Sequence, residues 1–351
     1  MTTRAEAVII GGGVIGCSIL YHLAARGLTD AVLLERDVLG SGSTGRSSAP
    51  VYQFHSSETL LHMARQSLAV FQDFQNVIDG ESGYTATGCL LLAGAAEADS
   101  FRSSVSHQRE LGIETSLISP KEARELAPGL NLADGAVIAY EPQSGHADAS
   151  ATTFAYANRA RQMGVRICLR APVLSLETSA GGVLAVSTAT ERIETPVVVL
   201  ATGSWSLGFL SRQGIDLPLR VGRKEVLALK RPPEAVTPHP GVLDFPNRIY
   251  FRPEGNDLTL VSQLNGEGTV LDPETYAHRA SPGFIQDAWS RLAYRYPVMA
   301  DAQFSSGYAG LVATTPDSGP ILDRVEGVEG LYVCAGFGGH GVGLSPMAGK
   351  L

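Results

Sequence analysis

Gly11, Gly13 and Gly16 stand at G-x-G-x-x-G spacing in the segment AVIIGGGVIGCSILYHL. Glycines so spaced serve roles that a Cβ would prevent. The first permits a tight turn, the second lets backbone approach pyrophosphate oxygens, and the third lets a following helix pack closely on the preceding strand. Val14 and Ile15 open that helix, whose free N–H groups and partial positive charge favour an anion in front of them. Glu35 closes a second apolar run, AVLLE, where a carboxylate can accept hydrogen bonds from ribose hydroxyls, and Arg36 follows it. Phosphate and sugar each have a partner, so this region is expected to bind a dinucleotide. The order strand, turn, helix, strand, acid distinguishes the motif from three chance glycines among 39. NAD and FAD present the same adenosine diphosphate half to such a unit, and the motif alone does not choose between them.

Two further stretches have the same character. Ser43, Thr44, Arg46 and Ser47 form a loop of hydroxyls and one guanidinium, suited to wrapping pyrophosphate and approaching a cofactor ring. Gly338, Gly339, His340, Gly341 and Val342 lie in FGGHGVG, between an apolar strand and a helix, where close backbone approach is again required. A helix starting there would aim N–H groups at whatever lies in front of it.

The elements that must position these residues can be read from periodicity. Leu60, Leu61, Ala64, Leu68 and Phe71 recur at helical spacing in an amphipathic stretch from Ser57 to Ile78. Residues 84–142 read as short strands (TGCLLLAG, GAVIAYEP) around a polar helix near Glu97 to Gly112. A helix from Asp148 to Gly164, with an Asp or Ser N-cap and a terminal Gly, precedes strands in VRICLRAPVLSLE, GGVLAVST and PVVVLATG, with a hairpin turn at SAGG. Residues 218–305 read as strands of mixed polarity (KEVLALK, NRIYFRP, DLTLVSQ) and one helix near Pro282 to Tyr296. Nucleotide-domain texture therefore comes in three pieces, 1–83, 143–217 and 306–351. They are interleaved with a second domain made of 84–142 and 218–305.

At 351 residues two domains are the natural prior, and 44% hydrophobic with 18% charged residues describes a globular enzyme. A net charge of −8 without a basic run excludes the electrostatic footprint of a nucleic-acid binder. Cys17, Cys89, Cys168 and Cys334 are widely separated and form no C-x-x-C pair, which suits reduced thiols and a cytoplasmic location better than disulfides or zinc. No metal site is expected. The apolar run from Ala7 to Ala25 is interrupted by glycines that the nucleotide explains, so no membrane span is expected either.

Taken in order, GGGVIG, LERD, GSGSTGRSSA, VVLATGSWS and TTPDSGPILDRVEGVEGLYVCAGFGGHGVGLSP make the whole chain resemble the D-amino-acid oxidase-like flavoproteins. It looks most like the branch holding sarcosine oxidases, dimethylglycine dehydrogenase, L-proline dehydrogenase β subunits and D-arginine dehydrogenase. The resemblance implies an α/β fold: a Rossmann-type FAD-binding domain interleaved with an α+β substrate domain built on a mostly antiparallel sheet. It implies FAD as cofactor, with Ala201, Thr202 and Gly203 facing the adenine side and Val173 meeting adenine through main-chain atoms. The helix after FGGHGVG would face the flavin pyrimidine ring, with His340 beside the isoalloxazine, and would run on past Leu351. Some relatives attach flavin covalently at positions that are Gly310 and Arg46 here, so FAD is expected to be noncovalent.

The implied reaction is oxidation of a C–N bond in an amino acid or secondary amine, with hydride passing to flavin N5 and the imine hydrolysing. Oxygen or an electron-acceptor protein or quinone would take the electrons. Relatives that use amino acids anchor the carboxylate with a cation. The positions that resemble those anchors are Tyr52, Val312 and Gly343 here. Arg223, Lys224, Arg248 and Arg252 are replacement candidates, Arg252 near the place of a basic residue beside N5. Tyr250 is the favoured catalytic residue, a phenol able to hydrogen-bond substrate, and His55 is a further candidate contact. Two other readings stay open: a 2-hydroxy-acid oxidoreductase on the same flavin half, and a noncatalytic flavoprotein serving as a subunit of a hetero-oligomer or as an assembly factor.

Overall fold

Two four-residue apolar runs whose side chains are all buried, Ala7–Ile10 and Ala31–Leu34, lie side by side in the interior of one sheet. Burial on both faces is what a parallel sheet demands, and it explains why these strands are uniformly apolar rather than alternating. In this computed structural model, which describes residues 1–179, 181–235, 239–264, 268–270 and 272–351, the sheet has six strands. Their order is Ile321–Arg324, Leu331–Ala335, Val198–Leu200, Ala7–Ile10, Ala31–Leu34 and Arg166–Cys168. All neighbours are parallel except the first two.

Helices Val14–Ala25, Ala149–Gln162 and Gly341–Lys350 share one face of this sheet in a core with Ile9 and Leu33. The opposite face, with Val8, Ile10, Val32 and Leu34, packs on a four-stranded sheet of Thr2–Arg4, Arg192–Glu194, Gly182–Ser187 and Ser175–Ser179. Asp148 caps the helix Ala149–Gln162 by accepting from the N–H groups of Ser150 and Ala151, at 2.8 and 2.9 Å.

The second large sheet has eight strands in the order Gln303–Thr314, Arg220–Lys230, Leu258–Gln263, Ile249–Glu254, Gly241–Asp244, Cys89–Ala93, Val137–Glu141 and Ser116–Ile118. Every pair is antiparallel except Gly241–Asp244 with Cys89–Ala93. The expected combination of a Rossmann-type sheet with a mostly antiparallel one is therefore the observed architecture. One face carries the helix Pro282–Arg295 over Leu227, Phe251 and Val261. Arg295 pins it through a two-pronged ion pair to the buried Asp244, at 2.6 and 3.1 Å. The other face, with Leu91, Leu243 and Tyr250, meets Tyr52 and Phe54 of the segment that follows Pro50–Val51.

Several boundaries differ from expectation. The division expected at residue 306 falls inside the strand Gln303–Thr314, which pairs along its length with Arg220–Lys230. Its mixed polarity, QFSSGYAGLVAT, belongs to the antiparallel sheet, and the chain rejoins the parallel sheet only at Ile321. VRICLRAPVLSLE is not one strand: Arg170 adopts φ +53°, Pro172 follows, and the two halves enter different sheets. The amphipathic stretch from Ser57 divides at Asp73 into Glu58–Gln72 and Phe74–Ile78, with the Asp73 carboxylate accepting from the Asn76 amide. The helix Pro120–Leu126 was not anticipated, although its capping box of Ser119 and Glu122 is legible as S-x-x-E. Ala180, in the expected SAGG turn, lies outside the described residues. Among the described residues no helix is long and apolar enough to cross a membrane.

Candidate cofactor and substrate site

A cavity of about 760 Å³ runs from the glycine turn after Ala7–Ile10 to the Tyr250 face of the antiparallel sheet. At its first end, Gly11 has φ +113°, and a Cβ there would lie 2.5 Å from the Ala201 carbonyl oxygen. Gly16 does not line the cavity; a Cβ on it would sit 1.9 Å from the Gly11 oxygen, so it serves the close packing of helix on turn. Gly13 precedes the helix Val14–Ala25 and offers no side-chain cap, and no acid lies in the first turn, so the N-terminal N–H groups keep their positive character. Thr44 Oγ1 accepts from the Val14 N–H at 3.2 Å and joins the hydroxyl loop to the turn.

The Glu35 carboxylate is committed in part to backbone. It accepts from the N–H groups of Gly12, at 2.6 Å, and Asp37, at 2.9 Å, and retains further lone pairs at the cavity wall. Arg36 lies over the Trp205 ring at 4.4 Å and pairs with Glu274, which also accepts from Trp205 Nε1 at 2.7 Å. Trp205 and Glu274 line the cavity and had no sequence signal; the chain separation of 69 residues hides their meeting. Ile15, Val173, Ala201, Thr202 and Gly203 line the same end.

Ser43 Oγ donates to the Leu311 carbonyl at 2.7 Å, and the Arg46 guanidinium donates to the carbonyls of Ser41 and Gly42. Arg46 Nη2 also lies 3.2 Å from His278 Nδ1. Ser47 and Gly310 line this middle section; a Cβ on Gly310 would be 3.0 Å from the Arg46 Cβ. Beyond it, Gly338, Gly339, Gly341 and Val342 line the cavity at the start of the helix Gly341–Lys350.

His340, at that helix start, lies with Nδ1 3.1 Å from the Tyr52 hydroxyl and with its ring edge-on to His55 at 4.9 Å. Burial, with His55 and Lys224 nearby, holds the His340 imidazole well below its usual range, so it is neutral. Burial lowers His55 to about 4 as well. His55 does not reach the main cavity; with Tyr52 and His340 it lines a side space of about 10 Å³, the size of one water. Tyr250 lines the main cavity, and burial raises its phenol, so it remains a neutral O–H.

Of the replacement cations, Lys224 alone reaches the cavity. Arg223 pairs with Glu225 at 3.0 Å and donates to the carbonyls of Ala277 and Arg279. Arg248 sits in a turn with φ +57°. Arg252, expected near the reacting end of the flavin, is turned away. Its guanidinium donates to the carbonyls of Ser48, at 2.6 Å, and Pro253, at 2.7 Å, and pairs with Glu254. It shares a strand face with Tyr250, but the three acceptors hold its head group outside the cavity lining. Among the described residues no cluster of His, Cys, Asp and Glu could hold a metal ion.

Glu141 supports the Tyr250 end of the cavity from outside. Wholly buried, it accepts from the Gln53 N–H at 3.0 Å and from the Ser144 hydroxyl at 2.5 Å, fixing the segment that carries Tyr52. Burial raises its carboxyl to about 7.

A glycine turn under a helix N-terminus, opening into a cavity that a second sheet closes, defines a dinucleotide-dependent redox protein of the Rossmann class. The chain belongs to the FAD dependent oxidoreductase family, whose sequence pattern matches residues 6–351. It is 29% identical over 350 residues to the mitochondrial dimethylglycine dehydrogenase of Rattus norvegicus, covering 95% of this chain and 41% of that one. It is 28% identical to the mitochondrial pyruvate dehydrogenase phosphatase regulatory subunit of Mus musculus, covering 100% and 41%. The chain thus spans about two fifths of the length of these relatives. The L-proline dehydrogenase of P. horikoshii has the same fold, with a TM-score of 0.90 and 25% identity over 99% of this chain and 92% of that one. The residues present fit FAD: the Gly11 and Gly13 cradle would be filled by side chains, and the Ser204 hydroxyl is buried at the cavity wall without a protein partner.

Proposed function

We propose that this chain is an FAD-binding oxidoreductase unit that oxidises the C–N bond of a small amino acid or secondary amine to an imine, which water then hydrolyses. The observation that carries this reading is the continuity of one cavity from the glycine turn to Tyr250, Tyr52, His340 and Lys224. FAD, when bound, supplies the acceptor for the hydride leaving the carbon beside nitrogen.

Gly11, Gly13 and the helix start at Val14 hold the diphosphate, Glu35 the ribose, and Arg36 with Trp205 the wall of the adenosine end. Ser43, Thr44, Arg46 and Ser47 follow the cofactor toward its ring. The Gly341–Lys350 helix start presents N–H groups that stabilise negative charge on the reduced ring. Gly310 and Arg46, neither a nucleophile, support noncovalent attachment.

Tyr250 offers a neutral hydroxyl to the substrate, and His340, neutral and fixed beside Tyr52, shapes the site without repelling an amine. Positioning a neutral amine against the ring accounts for much of the expected rate. The four free cysteines support a reducing compartment such as the cytoplasm. The likeness to a regulatory subunit favours a second reading, a flavoprotein subunit without turnover.

An anaerobic absorbance titration of the purified protein separates these readings. The panel holds N-methyl amino acids, D- and L-amino acids, cyclic imino acids and 2-hydroxy acids. Bleaching of the flavin band by an amine class is expected, and readmitted air then separates oxygen from another acceptor. Reduction by 2-hydroxy acids alone would reassign the reaction to C–O oxidation. A flavin that nothing reduces would make the protein the noncatalytic subunit.

A further inference from the structure

We infer that Lys224 is the anchor for a substrate carboxylate, held from the strand Arg220–Lys230 at the end of the cavity where Tyr250, Tyr52 and His340 converge. The inference rests on the amine-oxidation reading and narrows its substrates to amines that carry a carboxylate.

Lys224 lines the cavity, and its Nζ lies close to the FGGHGVG turn, 3.7 Å from where a Cβ on Gly339 would be. One of its three N–H donors goes to the Leu264 carbonyl at 3.2 Å. Among the described residues no carboxylate pairs with it. Its strand neighbours Arg223 and Glu225 pair with each other on the opposite side. Solvent reaches the half-buried lysine through the cavity, yet protein surrounds it closely enough that burial lowers the ammonium to about 8. An ammonium so placed is costly without an anion, and a ligand carboxylate in the cavity would offset that cost.

The other groups facing this end do not compete. Tyr52 and Tyr250 are phenols raised by burial, and His340 is neutral. Arg46 also lines the cavity, but its Nη1 donates to the Ser41 and Gly42 carbonyls and its Nη2 lies 3.2 Å from His278 Nδ1, which holds the head group against its own loop. The absence of cations at positions 52, 312 and 343 is thereby balanced by one cation on a different wall.

The test uses the purified holoprotein and the perturbation of its flavin absorbance by propanoate, cyclopentanecarboxylate and benzoate, each beside its neutral carboxamide. Below pH 8 the carboxylates are expected to bind ~10–100-fold more tightly than the amides. Their affinity should fall about tenfold per pH unit above that value, as the ammonium loses its proton. Lys224→Met should abolish the preference while FAD is retained. Lys224→Arg should keep it and carry it to higher pH.

A preference that survives in Lys224→Met overturns the inference, and reoxidation slowed in that variant would then assign the lysine to the flavin. If Lys224→Met loses FAD, an arginine variant whose preference still fades near pH 8 overturns it equally. Amines that bleach the flavin of a protein without carboxylate preference would leave C–N oxidation standing and remove the anchor. A carboxylate preference without reduction by any amine would support the anchor and remove the reaction.

Discussion

The two ends of the cavity are built from different materials. At the glycine-turn end the wall is set chiefly by backbone: a left-handed glycine, a helix without a side-chain cap, and carbonyl and N–H groups tied by Thr44 and Glu35. At the other end it is set by side chains, with Tyr52, Lys224, Tyr250 and His340 delivered by four separated stretches of chain. Backbone recognition restricts which residues are allowed, because only glycine leaves the space. Side-chain recognition restricts where residues are placed, and placement depends on sheet register and on segments held from behind.

The contrast is open to attack at several points. Gly16→Ala should do the most damage, since its Cβ would lie 1.9 Å from the Gly11 oxygen. A loss of ~3 kcal/mol or more in stability is expected, together with the flavin absorbance of the purified protein. A variant that keeps both would show that the turn tolerates side chains after all.

Glu141→Gln comes next and concerns the Tyr250 end. In the folded protein the Glu141 carboxyl is raised from 4.5 to about 7, so the native state holds a proton that the unfolded chain releases. Its contribution to stability is therefore full below pH 4.5 and is lost as pH rises through about 7, by ~3 kcal/mol in all. The stability difference between wild type and variant, followed by denaturant titration across that range, should change by this amount. A difference independent of pH would mean the acid is ionised in the fold.

Tyr250→Phe should slow anaerobic flavin reduction by ~10-fold, the worth of one hydrogen bond, and leave FAD content unchanged. An unaltered rate removes Tyr250 from the reaction. Glu274→Ala should have the smallest effect, because the ion pair with Arg36 is exposed on both sides. FAD affinity should weaken by less than ~10-fold and lose part of its salt dependence, measured by flavin fluorescence on dilution.

The glycine turn at one end of the cavity was legible in the sequence because its requirements are local. Gly11, Gly13, Gly16 and Glu35 lie within one βαβ unit, and each glycine has a steric reason visible in spacing alone. Asp148 was legible as a cap for the same reason. The Tyr250 end was legible only as a set of candidates. Arg223, Lys224, Arg248 and Arg252 are equivalent cations on paper. Strand alternation does not say which face looks into a cavity, and the fate of Arg252 depended on the Ser48 carbonyl, 204 residues away in the chain, as well as on its neighbours Pro253 and Glu254. Trp205 and Glu274 were missed because nothing local announces their contact. The boundary drawn at residue 306 failed because polarity marks the surface of a strand and not the sheet it joins.

The turned-away Arg252 has a consequence of its own. Its guanidinium reaches from the strand that bears Tyr250 to the Ser48 carbonyl, next to the hydroxyl loop, across 204 residues of chain. The strand that bears Tyr250 is thus tied directly to the loop that lines the cavity, and the width of the gap between them is set by one guanidinium as well as by the packing of the two sheets.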